Sequence, residues 1–257
     1  MYDREKSFFL FRHQALTVVV FLFLLASLAF LRCSMEMRSV FSVPVDMTQG
    51  LPPPPVFNSP EYEADVAAAE RWFQLQDPGR VAQAVRDLHD PDFLSRLSGV
   101  LGVSLETQAM RDTRSVLMRA KKLSALSIVQ EKENDSRERP WLVLGHAPPC
   151  AGEGATPAGH SCPSGHAAWA WLAGYVLADA LPHKTGALMS AAALYSESRE
   201  VCLLNWHSDI VAGQQTARII HRSLMREPEY QSALNRIRND YLDARQGGKT
   251  VAAGQSF

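Results

Sequence analysis

From Ser59 to about residue 245 the apolar residues recur at helical spacing, and no stretch alternates with period two for long. A chain patterned this way buries its apolar faces as packed helices. The first helix carries a clear start signal. Ser59 stands as N-cap, Pro60 at the first helical position, and Glu61 and Glu63 in the first turn. Ala67, Ala68, Trp72 and Phe73 then carry an apolar stripe to about Gln76. Asp90-Pro91 repeats the cap-then-proline signature. The spacing predicts further helices over 78–88, 91–101, 105–131, 166–181, 185–204, 207–225 and 229–245. Trp141-Leu142-Val143-Leu144 is the one short strand candidate, so the expected fold class is all-α.

Ahead of this body, Arg4, Lys6, Arg12 and His13 form a basic flank to the uncharged run from Ala15 to Leu31. That run is longer than a usual signal-peptide core and shorter than the roughly 20 apolar residues of a spanning helix. An uncleaved signal anchor is the preferred reading, with a cleaved signal as the alternative. Leu31-Arg32-Cys33 lacks the small residues that lipoprotein processing wants. The basic flank would stay in the cytoplasm and the rest would be exported, either periplasmic or anchored to the inner membrane facing the periplasm. The expected organisation is a signal or anchor over 1–33, a Pro-rich tether over 34–59 containing Pro52 to Pro55, a helical domain over 60–245 and a polar tail over 246–257.

Charge excludes one broad class. Lys and Arg number 26 against 27 Asp and Glu, so no concentrated positive face is available for nucleic acid. The single apolar run excludes a multi-span membrane protein. Four cysteines fit an exported protein without making it a disulfide scaffold. Cys33 ends the apolar run. Cys150–Cys162 would close a loop of about 13 residues and stabilise by roughly 3 kcal/mol in the chain-entropy model. Cys150–Cys202 is the competing pair, and buried thiols without a bond are the third possibility.

The chemistry lies between 132 and 209, in three clusters: Lys132 with Arg139-Pro140, then Pro163-Ser164-Gly165-His166, then Ser198-Arg199 followed by Asp209. Each alone has a bland explanation as a solvated face, a helix cap or a structural histidine. Together they outline a phosphate site. Two guanidinium groups and an ammonium neutralise a phosphoryl dianion, the arginine forks binding it bidentately. Ser164-Gly165 opens a helix whose free N–H groups and positive dipole end suit an anion, and the glycine permits close backbone approach.

The pattern Lys132, six residues, Arg139-Pro140; Pro163-Ser164-Gly165-His166; Ser198-Arg199, five residues, position 205, three residues, Asp209 resembles the acid phosphatase and vanadium haloperoxidase superfamily, also called the type 2 phosphatidic acid phosphatases. Cys202, Trp206 and Ser208 look most like the bacterial class A non-specific acid phosphatases. The resemblance covers roughly 60–245 and implies a compact helical bundle of the acid phosphatase and haloperoxidase type. It implies that Lys132, Arg139 and Arg199 hold the phosphate oxygens, with Ser164 and the Gly165 N–H completing the cradle. It further implies that His166 protonates the leaving alcohol, that a histidine at 205 attacks phosphorus, and that Asp209 orients that histidine. No metal or cofactor is implied, because arginine and lysine neutralise the charge. The implied partner is phosphate or a phosphomonoester, with membrane contact only through an uncleaved N-terminal segment; self-association is left open.

At the decisive position the residue is Asn205, and an amide forms no phosphoenzyme. On one continuous helix Asn205 and Asp209 would lie about 40° apart, with His207 about 200° from Asn205, so His207 is not expected to substitute. Two functions follow: an exported phosphomonoesterase that is inactive or very slow, or a non-catalytic protein that retains the cradle and binds phosphate. Haloperoxidase chemistry is a distant third, since the same histidine would bond vanadate. A single anchor favours soluble phosphomonoesters over membrane lipids. Asp209, deprived of an imidazole, is expected to take a donor from Asn205, from another group or from water, and its pKa to rise.

Overall fold

The computed structural model describes residues 45, 47, 50–75, 77–88, 90–134, 137–150 and 160–253. The run from Ala15 to Leu31, Cys33 and residues 254–257 lie outside them. Among the described residues the structure is all-α. The helices are α1 (Pro60–Leu75), α2 (Pro78–Arg86), α3 (Asp90–Leu101), α4 (Arg111–Asn134), α5 (Pro140–Leu144), α6 (Gly165–Ala180), α7 (Thr185–Val201), α8 (His207–Leu224) and α9 (Pro228–Ala253).

Most starts and stops follow the local chemistry. Ser59 Oγ accepts the Tyr62 N–H at 3.2 Å, and Asp77 Oδ1 accepts the N–H groups of Gly79 and Arg80. The strand candidate at 141–144 is instead a short helix. Arg139 stands at its N-cap, Pro140 at its first position, and Gly145 follows with φ 69°. Those flanking signals overrule the β propensity of the four apolar residues between them. The seventh helix ends at Val201, earlier than the expected 204, because Leu203 takes a left-handed conformation with φ 55°. Asn205 therefore precedes α8 rather than lying on it, and the shared helical face expected for Asn205 and Asp209 does not exist. The last helix runs on to Ala253, past the expected end at 245, through Gly247 and Gly248.

Helix α6 is the axle of the bundle and packs against α4, α7, α8 and α9. It is apolar all round, and Ala167, Trp169, Leu172, Val176 and Leu177 are buried on different sides of it. Such a helix has no polar face to give to water and must be enclosed. The close crossing of α6 and α8 depends on Gly213. A Cβ there would overlap the Ser164 carbonyl oxygen and stand 2.9 Å from the Ala167 Cβ. The glycine thus lets α8 seat directly on the first turn of α6.

Cys150 and Cys202 form the disulfide, joining the segment after α5 to the end of α7. The shorter Cys150–Cys162 bridge is not made; Cys162 is buried and outside the disulfide. With 52 residues of separation, the observed bridge removes more chain entropy than the short one, about 4 kcal/mol in the same model.

Candidate functional site

Three helix ends meet around the segment 160–164. Lys132 lies in the last turn of α4 and Arg199 in the last turn of α7, where cations complement the negative ends of the helix dipoles. The first turn of α6 brings its N-terminus to the same place. Ser164 Oγ accepts the Ala167 N–H at 3.4 Å as N-cap. The Ser164 N–H donates to the Asp209 carbonyl at 3.0 Å.

Lys132, Arg139, Arg199 and His166 are brought close enough for each cation to act on its neighbours. Burial, followed by Arg139, pushes the Lys132 ammonium down to about 8. Burial and then Arg139 push Arg199 down to about 10. Burial likewise lowers Arg139. All three remain charged at neutral and acidic pH, so the site is a concentrated positive field. Lys132 Nζ donates to the His160 carbonyl at 2.6 Å, and Arg139 Nη1 to the Leu204 carbonyl at 2.5 Å. Arg139 Nε is buried with no hydrogen-bond partner among the described residues. Arg199 makes one side-chain bond there, from Nε to Asn205 Oδ1 at 3.4 Å. The remaining guanidinium donors suit a ligand rich in acceptors.

His166 sits against this field, its ring stacked on Tyr195 with centroids 5.9 Å apart. Burial and then Arg199 push its imidazole down to about 3, although a hydrogen bond to the Leu88 backbone opposes the shift. The folded protein therefore binds fewer protons than the unfolded chain between about pH 3 and 6.5. Stability from this group is fully present above about 6.5 and lost as pH falls towards 3. Urea denaturation at pH 7 and 4.5 should show a smaller acid loss in His166→Gln than in the parent, by about 2 kcal/mol. Equal losses in the two proteins would contradict the assignment.

Asn205 is built in on both sides. Its Nδ2 donates to the Ser161 carbonyl at 2.6 Å while its Oδ1 accepts from Arg199 Nε. An amide is the neutral side chain that supplies a donor and an acceptor at once. Asp209 does not turn to it. Arg137 Nη1 donates to Asp209 Oδ1 at 2.8 Å, and the Trp206 N–H donates to Oδ2 at 2.8 Å. Arg137 was not singled out from sequence, and it is the hub of this corner. Its Nη1 also donates to Ser208 Oγ at 2.6 Å and its Nη2 to Asp65 Oδ2 at 2.6 Å. Its guanidinium lies over the Trp206 ring, 5.1 Å from the centroid. Burial raises the Asp209 pKa, as expected for an enclosed carboxylate, with Arg137 opposing the rise. Ser198, beside Arg199, faces away from the cradle and donates to Asp87 Oδ2 at 2.6 Å. His207 is likewise turned elsewhere, with Nδ1 3.1 Å from Glu200 Oε1. Among the described residues no cluster of His, Cys, Asp and Glu is arranged to hold a metal ion.

No protein-family profile matches the chain. Curated relatives do. It is 26% identical over 198 residues to a non-specific acid phosphatase of Salmonella typhi, covering 75% of this chain and 79% of that protein. It is 28% identical over 182 residues to an acid phosphatase of Zymomonas mobilis subsp. mobilis, covering 69% of each. A non-specific acid phosphatase of Providencia stuartii is 25% identical over 202 residues, covering 77% of this chain and 81% of that protein.

Proposed function

We propose, from its similarity to acid phosphatases, that this chain is an exported hydrolase that binds phosphomonoesters in the cradle of Lys132, Arg139, Arg199, Ser164 and Gly165 and turns them over slowly, without a phosphoenzyme. The observation that carries this reading is the convergence of one buried and two half-buried cations, Arg199 with Lys132 and Arg139, on the N-terminus of α6. A phosphoryl group placed there would offset the burial and the mutual repulsion that lower Lys132 and Arg199. Its developing transition-state charge would meet donors that are already oriented. The same anion would raise the His166 pKa from about 3, so that binding brings the proton that the leaving alcohol requires. Water is the attacking group in this scheme, since Asn205 offers no nucleophile. The uncharged 15–31 run and the Cys150–Cys202 disulfide support export to an oxidising compartment. The domain limits proposed remain 60–245 for the helical body, with a tether before it.

A second reading, a phosphate-binding protein without turnover, is favoured by the complete engagement of Asn205 and Asp209 in fixed hydrogen bonds. Rapid acid-versus-base quenching with ³²P-labelled substrate tests the common chemistry. No acid-labile phosphohistidine is expected. An adduct at His207 or any other histidine would overturn the proposed route. Steady-state release of phosphate above the rate of the Arg199→Ala variant separates slow hydrolysis from binding alone.

A further inference from the structure

A cleft of about 1420 Å³ opens on the side of the bundle between the Pro52–Pro55 segment, α1, α7 and α8. None of Lys132, Arg139, Ser164, His166 or Arg199 lines it, so it is distinct from the cradle. Its walls are largely apolar and include Ala64, Ala68, Trp72, Trp171, Ile210 and Val211. Val211 leaves 46% of its surface exposed, an apolar side chain without cover.

One end of this cleft is polar and organised. Glu200 is buried, and its carboxylate accepts from Trp72 Nε1 at 3.3 Å and pairs with His207 Nδ1 at 3.1 Å. This fixes the imidazole ring of His207, whose side chain is 60% exposed. The charged groups acting on His207 are Glu200 from α7 and Asp65 and Arg71 from α1. The hydrogen bond that His207 donates to Glu200 raises its pKa above the ordinary imidazole value, with burial and Arg71 opposing. Two of the carboxylates on this face are matched by arginines, Asp65 by Arg137 and Glu197 by Arg80. Arg71 forms no ion pair among the described residues and lines the same cleft. Glu61, also unpaired among them, lies ten residues earlier on α1, about 15 Å away along the axis. Since Glu200 offsets the charge on His207, Arg71 is the unmatched cation at this end among the described residues, with an apolar floor beyond it and an acidic far end.

The geometry points to a second ligand site, in which a single-chain anionic amphiphile lays its head against His207 and Arg71 and its alkyl chain along the apolar floor of α1 and α8. Charge complementarity selects the head, since a carboxylate accepts from the imidazolium and the guanidinium together. The acidic far end, Glu61, disfavours the reverse orientation. The inference is independent of the chemistry proposed for the cradle.

Titrating the full chain with decanoate at pH 6.5, followed by calorimetry and tryptophan fluorescence, tests it. Decanoate is expected to bind saturably, and decan-1-ol at least about tenfold more weakly. His207→Gln and Arg71→Gln should each weaken decanoate about tenfold, and Val211→Trp should block it by filling the floor. Phosphate affinity should stay unchanged in all three variants, which also shows that they are folded. Decanoate affinity that is unchanged in both charge variants, or equal to that of decan-1-ol, would overturn the proposal. So would the absence of saturable binding, or sedimentation showing that this face joins two copies of the chain and that Val211→Glu separates them.

Discussion

Asn205→His is expected to raise turnover of a phosphomonoester such as phenyl phosphate by on the order of 10⁴-fold or more, the scale of losses when a nucleophile is deleted. The geometry says how the imidazole would be held. Asn205 Nδ2 donates to the Ser161 carbonyl at 2.6 Å, and an imidazole Nδ1–H reaches a similar position from the same backbone. That bond would fix the tautomer and leave Nε2 as the attacking atom. Asp209, already bound by Arg137 and the Trp206 N–H, would act on the site through its charge and through the N-terminus of α8. The variant gives up the Asn205 Oδ1 contact to Arg199, so phosphate affinity should fall while kcat rises. Phosphate binding without any gain in turnover would favour the binding-protein reading.

Arg137→Met is expected to lower stability by about 3–5 kcal/mol, the usual consequence of stripping one partner from a buried ion network. Asp65, Arg137 and Asp209 have 4%, 9% and 0% side-chain exposure, so the two carboxylates left behind would have little water to turn to. Chemical denaturation of Arg137→Met and of the surface control Arg111→Met should separate sharply. Arg111 side-chain exposure is 71%, and loss of an exposed pair costs little. A loss below about 1 kcal/mol in Arg137→Met would show that the network contributes nothing net.

The contrast between Arg137 and Arg139 marks the limit of what the chain discloses on its own. Lys132, Ser164 and Arg199 lie near helix ends that cap and glycine signals locate within a few residues, whereas Arg139 is legible through the Lys132, six residues, Arg139-Pro140 spacing. Arg137 depends on Asp65 and Ser208, and the latter pair is 143 residues apart in the chain. No local rule brings such residues together. Its one signal was a second arginine two positions before Arg139. The all-α class follows from periodicity, whereas Trp141–Leu144 is open to either state because four apolar residues fit both, and the flanking Arg-Pro and glycine decide for helix. The expected helices end at 204 and restart at 207, so Asn205 falls between them. What periodicity does not show is the left-handed turn at Leu203, which removes the common axis used to relate Asn205 to Asp209. The disulfide partner was decided by tertiary proximity, which spacing does not encode.

Calorimetric titration of the full chain with inorganic phosphate at pH 5.5, repeated in two buffers of different ionisation enthalpy, tests the central claim most directly. One saturable site with little net proton exchange is expected, because the proton that dihydrogen phosphate gives up on binding as the dianion is the one His166 takes up. Affinity should fall more than about tenfold in both Arg139→Ala and Arg199→Ala, the scale of a charge-assisted contact. An absence of saturable binding at millimolar phosphate, or unchanged affinity in both variants, would contradict the account.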